Sequence, residues 1–198
     1  MTRSRLLPDT RMLMRGAWVC LLALTLAACD RAQGAKAGPA QPAAAARAVE
    51  GQPFPKIVLQ YASGPALSTQ SFHGKLVVLN VWATWCPPCR REMPDLQRLS
   101  RTLDPARFAV VGVSTDEDAL LAEEFLRQNG VSFPNFFDQG GRIAKQLGMQ
   151  VYPVTFVIAP VGVLLHRVAG LRDWSAPQMV AWLEDAYRSH GGRQSQKQ

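Results

Sequence analysis

Nearly continuous apolar residues from Leu76 to Ala83 run straight into Thr84-Trp85-Cys86-Pro87-Pro88-Cys89 and then into a stretch with helical spacing. A run apolar at both alternating sets of positions predicts a strand buried on both faces, which requires a layer of structure above it and another below. The helix that follows carries Met93, Leu96, Leu99 and Leu103 on one side. Pro87 and Pro88 are tolerated in its first turn, where no internal amide bond is lost. Pro94 lies inside it and predicts a kink. Two cysteines separated by two residues therefore sit at a strand-to-helix junction. Free amide groups and the helix dipole at that junction favour a thiolate on the first sulfur. A thiolate is the species that attacks disulfides, so the segment points to thiol–disulfide exchange.

The rest of the domain alternates strands and helices. Ile57 to Tyr61 reads as a strand, Ser63-Gly64-Pro65 as a turn, and Ala66 to Phe72 as a returning strand. Phe108 to Val113 predicts a second buried strand. Asp116 to Gln128 predicts a helix with Leu120, Leu121, Phe125 and Leu126 on one side, ended by Asn129-Gly130. Phe133 to Phe137 reads as a short strand and Gly141 to Leu147 as a brief helix. Thr155 to Ala159 and Val163 to Val168 form a hairpin around Pro160-Val161-Gly162. Ser175, with Gln178 three residues on, predicts the cap of a last helix lined by Met179, Val180, Trp182, Leu183 and Tyr187. These elements suit a mixed α/β sheet with helices on both faces.

The ends read differently. Arg3, Arg5, Arg11 and Arg15 precede an apolar run from Trp18 to Ala28, and Leu26-Ala27-Ala28-Cys29 closes it. That is the pattern of a lipoprotein signal peptide, residues 1–28, with cleavage before an acylated Cys29. An ordinary signal peptide or an uncleaved anchor is the other reading. Residues 29–50 are rich in Ala, Gly and Pro and predict a flexible tether, on the order of 25 Å in root-mean-square span. Residues 51–189 are assigned to one domain and 190–198 to a disordered tail. The chain has 22 basic and 15 acidic residues; without residues 1–28 the balance is 18 against 14, or +4. No basic stripe interleaved with aromatics accompanies it, so nucleic acid is not an expected partner. Of four cysteines, Cys20 leaves with the signal and Cys29 is the lipidation candidate. Only Cys86 and Cys89 then remain as thiols, a pair that can switch without scrambling.

The block from Gly74 to Pro94, with its Trp-Cys-Pro-Pro-Cys core, resembles the thioredoxin superfamily. It is most similar to the membrane-tethered TlpA-like branch that includes ResA and DsbE (CcmG). Val151-Tyr152-Pro153-Val154-Thr155-Phe156 is similar to the cis-proline segment of that superfamily. The resemblance spans roughly residues 51–188 and implies a thioredoxin-like fold with an N-terminal β-hairpin extension and a central insertion. It implies no cofactor, and no flavin or nicotinamide motif is visible.

Cys86 is the expected nucleophile and Cys89, one turn further in, the resolving thiol. Arg90 and Arg91 add to the pull toward ionisation. A structural zinc half-site is the alternative for the pair, but zinc usually takes four ligands and no second cysteine pair is present. Pro87 and Pro88 stiffen the loop and donate no amide hydrogen, which tempers the fall in the Cys86 pKa. By resemblance Pro153 is cis and brings Tyr152 alongside the cysteines, where extended backbone can pair with a substrate peptide. A trans proline opening a strand is the alternative. Asn80 stands where thioredoxin itself has a buried aspartate, and an amide takes no proton at neutral pH. Glu92 shares a helix face with Cys89 and is the remaining candidate base, or else a solvated glutamate paired with an arginine. Trp85 is expected to cover the site and contact partners; packing is the plainer role for it and for Trp82. His73 is expected in a surface loop, His166 on a strand face and His190 in the tail.

The expected activity is a membrane-anchored thiol–disulfide oxidoreductase on the periplasmic face of the bacterial cytoplasmic membrane. Net reduction of protein disulfides is the favoured direction. By resemblance the substrates are apocytochrome c or an assembly protein of an oxidase copper site. Electrons would come from a membrane thiol donor of the DsbD/CcdA kind. A disulfide-donating oxidase of the same fold, or a copper- or zinc-binding thiol module without redox turnover, are the competing readings.

Overall fold

The computed structural model describes residues 47–191. The signal peptide, Cys29 and most of the expected tether lie outside them, as does the end of the tail. A small antiparallel hairpin opens the domain, β1 (Val58–Leu59) and β2 (Leu67–Ser68), followed by a 3-10 turn at Thr69–Phe72. The expected strands were longer: only two residues on each side pair, and Ser68 turns the chain by accepting the N–H of Gln70 at 3.2 Å. The main elements are β3 (Leu76–Trp82), α1 (Pro87–Thr102), β4 (Phe108–Ser114), α2 (Ala119–Gln128), β5 (Asn135–Phe137), α3 (Arg142–Gln146), β6 (Val154–Ile158), β7 (Leu164–Ala169) and α4 (Pro177–Gly191). The sheet order is β5-β4-β3-β6-β7, with β3, β4 and β5 parallel and β6 and β7 antiparallel to their neighbours.

All seven residues of β3 are buried. Its side chains divide by the two-residue period of a strand. Leu76, Val78 and Trp82 join a core with Met93, Leu96 and Leu99 of α1, Ala122 and Leu126 of α2, and Leu183 of α4. Val77, Leu79 and Val81 face the other way, onto Ile57, Leu59, Ile143 and Leu147 from the hairpin and α3. Helices thus cover both faces. α1 runs unbroken through Pro94. A buried carboxylate braces the loop before α3. Asp138 accepts the N–H groups of Ile143 and Ala144 at 2.9 Å each, closing the start of α3.

Several local expectations are corrected. α2 begins at Ala119, not Asp116, because Asp118 caps it by accepting the N–H of Leu120. Leu120 and Leu121 are exposed at 69% and 59%; Leu126 is buried as expected, Phe125 packs against the core, and Ala122 completes the buried face. Ser175 does not cap α4. The helix begins at Pro177, which leaves Ala176 at the cap position, and the Ser175 oxygen accepts from Arg98 Nε at 3.3 Å while its hydroxyl and N–H donate to the Asp173 carboxylate. α4 includes His190, which was placed in the tail; its Nδ1 lies 2.9 Å from the Ala186 carbonyl. At the other end Ala48 is buried, Glu50 accepts the N–H of Arg167 at 2.6 Å and Gly51 donates to the Leu164 carbonyl. The packed domain therefore begins before residue 51, because this segment lies along the edge of β7.

Gly112 on β4 is a close approach between neighbouring strands. A Cβ there would stand 1.9 Å from Asn135 Oδ1, the atom that accepts the Trp82 indole N–H at 3.0 Å. Gly112→Ala is expected to displace Asn135, orphan the buried indole and cost about 2–4 kcal/mol, read from chemical denaturation midpoints.

Candidate active site

Strand β3 ends at Trp82, and three residues carry the chain to the dithiol. Asp116, buried at the end of β4, holds that connection in place. Its carboxylate accepts the Thr84 N–H at 3.0 Å, the Thr84 hydroxyl at 2.7 Å and the Ser114 hydroxyl at 2.6 Å. Three donors on one buried carboxylate satisfy the charge where water cannot reach it. Sequence reasoning missed this role by reading Asp116 as helical. The signal was its position: it follows β4, the parallel neighbour of β3, at the same edge of the sheet.

Cys86 caps α1, and Pro87 and Pro88 fill the first helical positions. The Cys89 N–H donates to Cys86 Sγ at 3.3 Å. One backbone donor thus survives despite the two prolines. The cysteines are joined by a disulfide, with Cα atoms 5.3 Å apart. Cys86 retains 4% exposure and Cys89 none, so what access there is to the disulfide lies on the Cys86 side. Arg90 and Arg91 are exposed on the first turns of α1.

Trp85 is 61% exposed and meets the Tyr152 ring edge-on, 5.1 Å between centroids. The Tyr152–Pro153 peptide is cis, and Pro153 is buried. The Pro153 carbonyl accepts the Gly170 N–H at 2.8 Å, which ties this segment to the loop after β7. Trp82 is fully buried in the core. His73 is exposed, and His166 lies on β7 against the Trp182 ring. Among the described residues no group of three or more His, Cys, Asp or Glu side chains is placed to hold a metal ion.

Glu92 is fully buried, so the solvated glutamate paired with an arginine is not what the fold contains. One turn past Cys89, its Oε1 accepts from Asn80 Nδ2 at 2.6 Å and its Oε2 from the Arg172 N–H at 3.4 Å. Burial pushes its pKa up to about 7, against the hydrogen bonds from Asn80 and the Arg172 backbone. The nearby Trp174 indole also favours the charged form, although its N–H makes no hydrogen bond of normal geometry. Arg172 and Trp174 were not singled out in the sequence, and nothing in their spacing marks them; they arrive from the β7–α4 loop.

A mixed sheet covered on both faces, with a dithiol at the start of a helix beside a cis-proline, defines a thioredoxin-fold thiol–disulfide oxidoreductase. A model of the AhpC/TSA family matches residues 50–167, and the chain belongs to that family. It is 30% identical over 121 residues to the thiol-disulfide oxidoreductase ResA of Bacillus subtilis, covering 61% of this chain and 68% of that one. It is 36% identical over 118 residues to the thioredoxin-like protein YneN of the same organism, covering 58% and 68%. Among solved structures it is similar to a thiol:disulfide interchange protein of Chlorobium tepidum, with 25% identity, a TM-score of 0.59 and coverage of 73% and 99%. It is also similar to a secreted Mycobacterium tuberculosis disulfide oxidoreductase homologous to E. coli DsbE, with 25% identity, a TM-score of 0.56 and coverage of 64% and 95%.

The raised Glu92 pKa has a stability consequence. Below the ordinary value of 4.5 the folded and unfolded chains both hold the proton. Between 4.5 and about 7 the unfolded chain releases it while the folded one keeps it, so stability falls as pH rises and the loss is complete above 7. The difference amounts to about 3 kcal/mol. Glu92→Gln keeps an acceptor for Asn80 and removes the charge. It is expected to melt progressively higher than the parent as pH rises from 5 to 8, measured by thermal denaturation. An equal offset at both pH values would contradict a buried titrating carboxyl.

Proposed function

We propose that this chain is a lipid-anchored reductase of protein disulfides working on the periplasmic face of the bacterial cytoplasmic membrane. The observation that carries the redox reading is the Cys86–Cys89 disulfide at the head of α1, with Cys86 the less buried of the two. In the reduced protein the Cys86 thiolate attacks one sulfur of a substrate disulfide. The other substrate sulfur leaves with the electron pair and takes up a proton from water. Glu92, as carboxylate, accepts the Cys89 thiol proton. Cys89 then attacks Cys86 Sγ, the second substrate sulfur leaves as a thiolate, and the protein disulfide closes. The substrate has gained two electrons and the protein has lost two. The 4% exposure of Cys86 and the edge-on contact of Trp85 with Tyr152 suit a polypeptide laid across Trp85, Pro87, Pro88, Tyr152 and Pro153.

A membrane thiol donor of the DsbD/CcdA kind would return the electrons, and no cofactor is required of this chain. The substrates proposed are the heme-attachment cysteines of apocytochrome c or thiols of an oxidase copper-site assembly protein. They are supported by the resemblance to ResA and DsbE. Anchoring is supported by the sequence ending in Cys29, with 1–28 as signal and the following residues as tether up to the packed segment at Ala48. Among the described residues no helix is long and apolar enough to cross a membrane. The M. tuberculosis relative is described as secreted.

Cys86→Ser is expected to lower dithiothreitol-driven insulin reduction to the uncatalysed rate; retained activity would remove Cys86 from the mechanism. Cys89→Ala is expected to accumulate a mixed disulfide with its partner, released by dithiothreitol and identifiable by mass spectrometry. A reduction potential near that of thioredoxin, about −270 mV, supports reduction, and one near that of DsbA, about −120 mV, reverses the direction.

A further inference from the structure

The carboxyl behind the dithiol is clamped by uncharged groups. Asn80 lies on β3 opposite Thr155 of β6 in the antiparallel register, and both side chains are buried. The Asn80 amide donates one N–H to Glu92 Oε1 at 2.6 Å and the other to Thr155 Oγ1 at 2.9 Å. Its oxygen, Oδ1, is buried with no hydrogen-bond partner. An unused buried acceptor is costly, and its presence on this side chain calls for a reason.

The reason lies in what each group is able to offer. A carboxylate only accepts, whereas a carboxylic acid also donates. A primary amide has a donor end and an acceptor end of nearly the same shape, and a threonine hydroxyl does both. With its amide turned by half a rotation, Asn80 would present Oδ1 to a Glu92 O–H and to the Thr155 O–H. An aspartate at this position would bring a second charge, and a leucine would serve neither protonation state.

We infer that Asn80, backed by Thr155, is the positioning pair that holds Glu92 in both protonation states and sets the pH at which the dithiol turns over. The inference rests on Glu92 being the base for Cys89. The groups facing Glu92 leave this part to the amide. On α1, Asp95 opposes its ionisation, and Cys86 and Cys89 lie one to two turns away. From the β7–α4 loop, Arg172 gives only its backbone N–H, while its guanidinium donates to the Leu171 carbonyl. Asp173 bears on Asp95 from the same loop, and Trp174 supplies an indole. β3 and β6 contribute the uncharged Asn80 and Thr155. None of the ion pairs among the described residues includes Glu92.

The test is the pH dependence of disulfide reduction by the purified protein, read together with the infrared band of the protonated Glu92 carboxyl. Asn80→Leu is expected to move both midpoints upward by about one pH unit, since the charge-assisted hydrogen bond to the carboxylate is stronger than the one the turned amide accepts from the acid. Thr155→Val is expected to move them upward by less, and Thr155→Ser, which keeps the hydroxyl, to restore the parent values. Glu92→Gln should remove the midpoint and the band together. If it leaves the midpoint in place, Glu92 is not the base and the inference falls with that assignment. If Glu92→Gln behaves as expected but a folded Asn80→Leu lowers activity equally at every pH, Asn80 is only structural and the inference alone is overturned. Should Asn80→Leu fail to fold, the Thr155→Val and Thr155→Ser pair decides it by the same midpoints.

Discussion

The domain depends on one strand being closed in on every side. β3 pairs in parallel with β4 and antiparallel with β6, and all seven of its side chains are buried. Its backbone groups are satisfied laterally and its side chains vertically, so it has almost no freedom to shift. A one-residue slip would send Trp82 to the hairpin face and Val81 to the α1 face. The dithiol begins four residues beyond the end of this strand. Its position is therefore inherited from the most constrained segment of the fold, and the Asp116 clamp on Thr84 transmits that constraint across the short connection.

The same strand carries the one polar interruption in its apolar run. Asn80 faces α1, where Glu92 is buried. Burying a carboxyl without a cation is unfavourable, and the elevated pKa expresses that penalty. The cost has a chemical return. A group that ionises near neutrality is able to accept a proton from a thiol and give it up again, which a carboxylate of ordinary pKa does poorly. The fold supplies the apolar walls that raise the pKa and the few hydrogen bonds that keep the rise moderate.

Much of the architecture was legible in the residues. The nearly continuous apolar run read as a central strand, and the cysteine spacing at its end could only be interpreted with a helix behind it. The local errors came from competition among polar groups. Asp116 looked able to start α2; the tertiary contact with Thr84 took it, and Asp118 caps the helix instead. Ser175 looked like a cap, but α4 begins at Pro177, one residue too late for it, and its oxygen accepts from Arg98 instead. Leu120 and Leu121 share an apolar segment with Phe125 and Leu126, but successive helical residues turn by about 100°, so the face set by Ala122 and Leu126 leaves both outside the core.

By itself the sequence determined that a redox-capable pair of cysteines stands at the junction of a buried strand and a helix, because hydrophobic periodicity and a two-residue spacing are local properties. Only the tertiary structure decided that Glu92 is a buried, near-neutral carboxyl and not a surface charge. Its environment is assembled from β3, β6 and the β7–α4 loop, the last 80 residues further along the chain. The desolvation that sets its proton affinity is a property of that enclosure, and no window of neighbouring residues contains it.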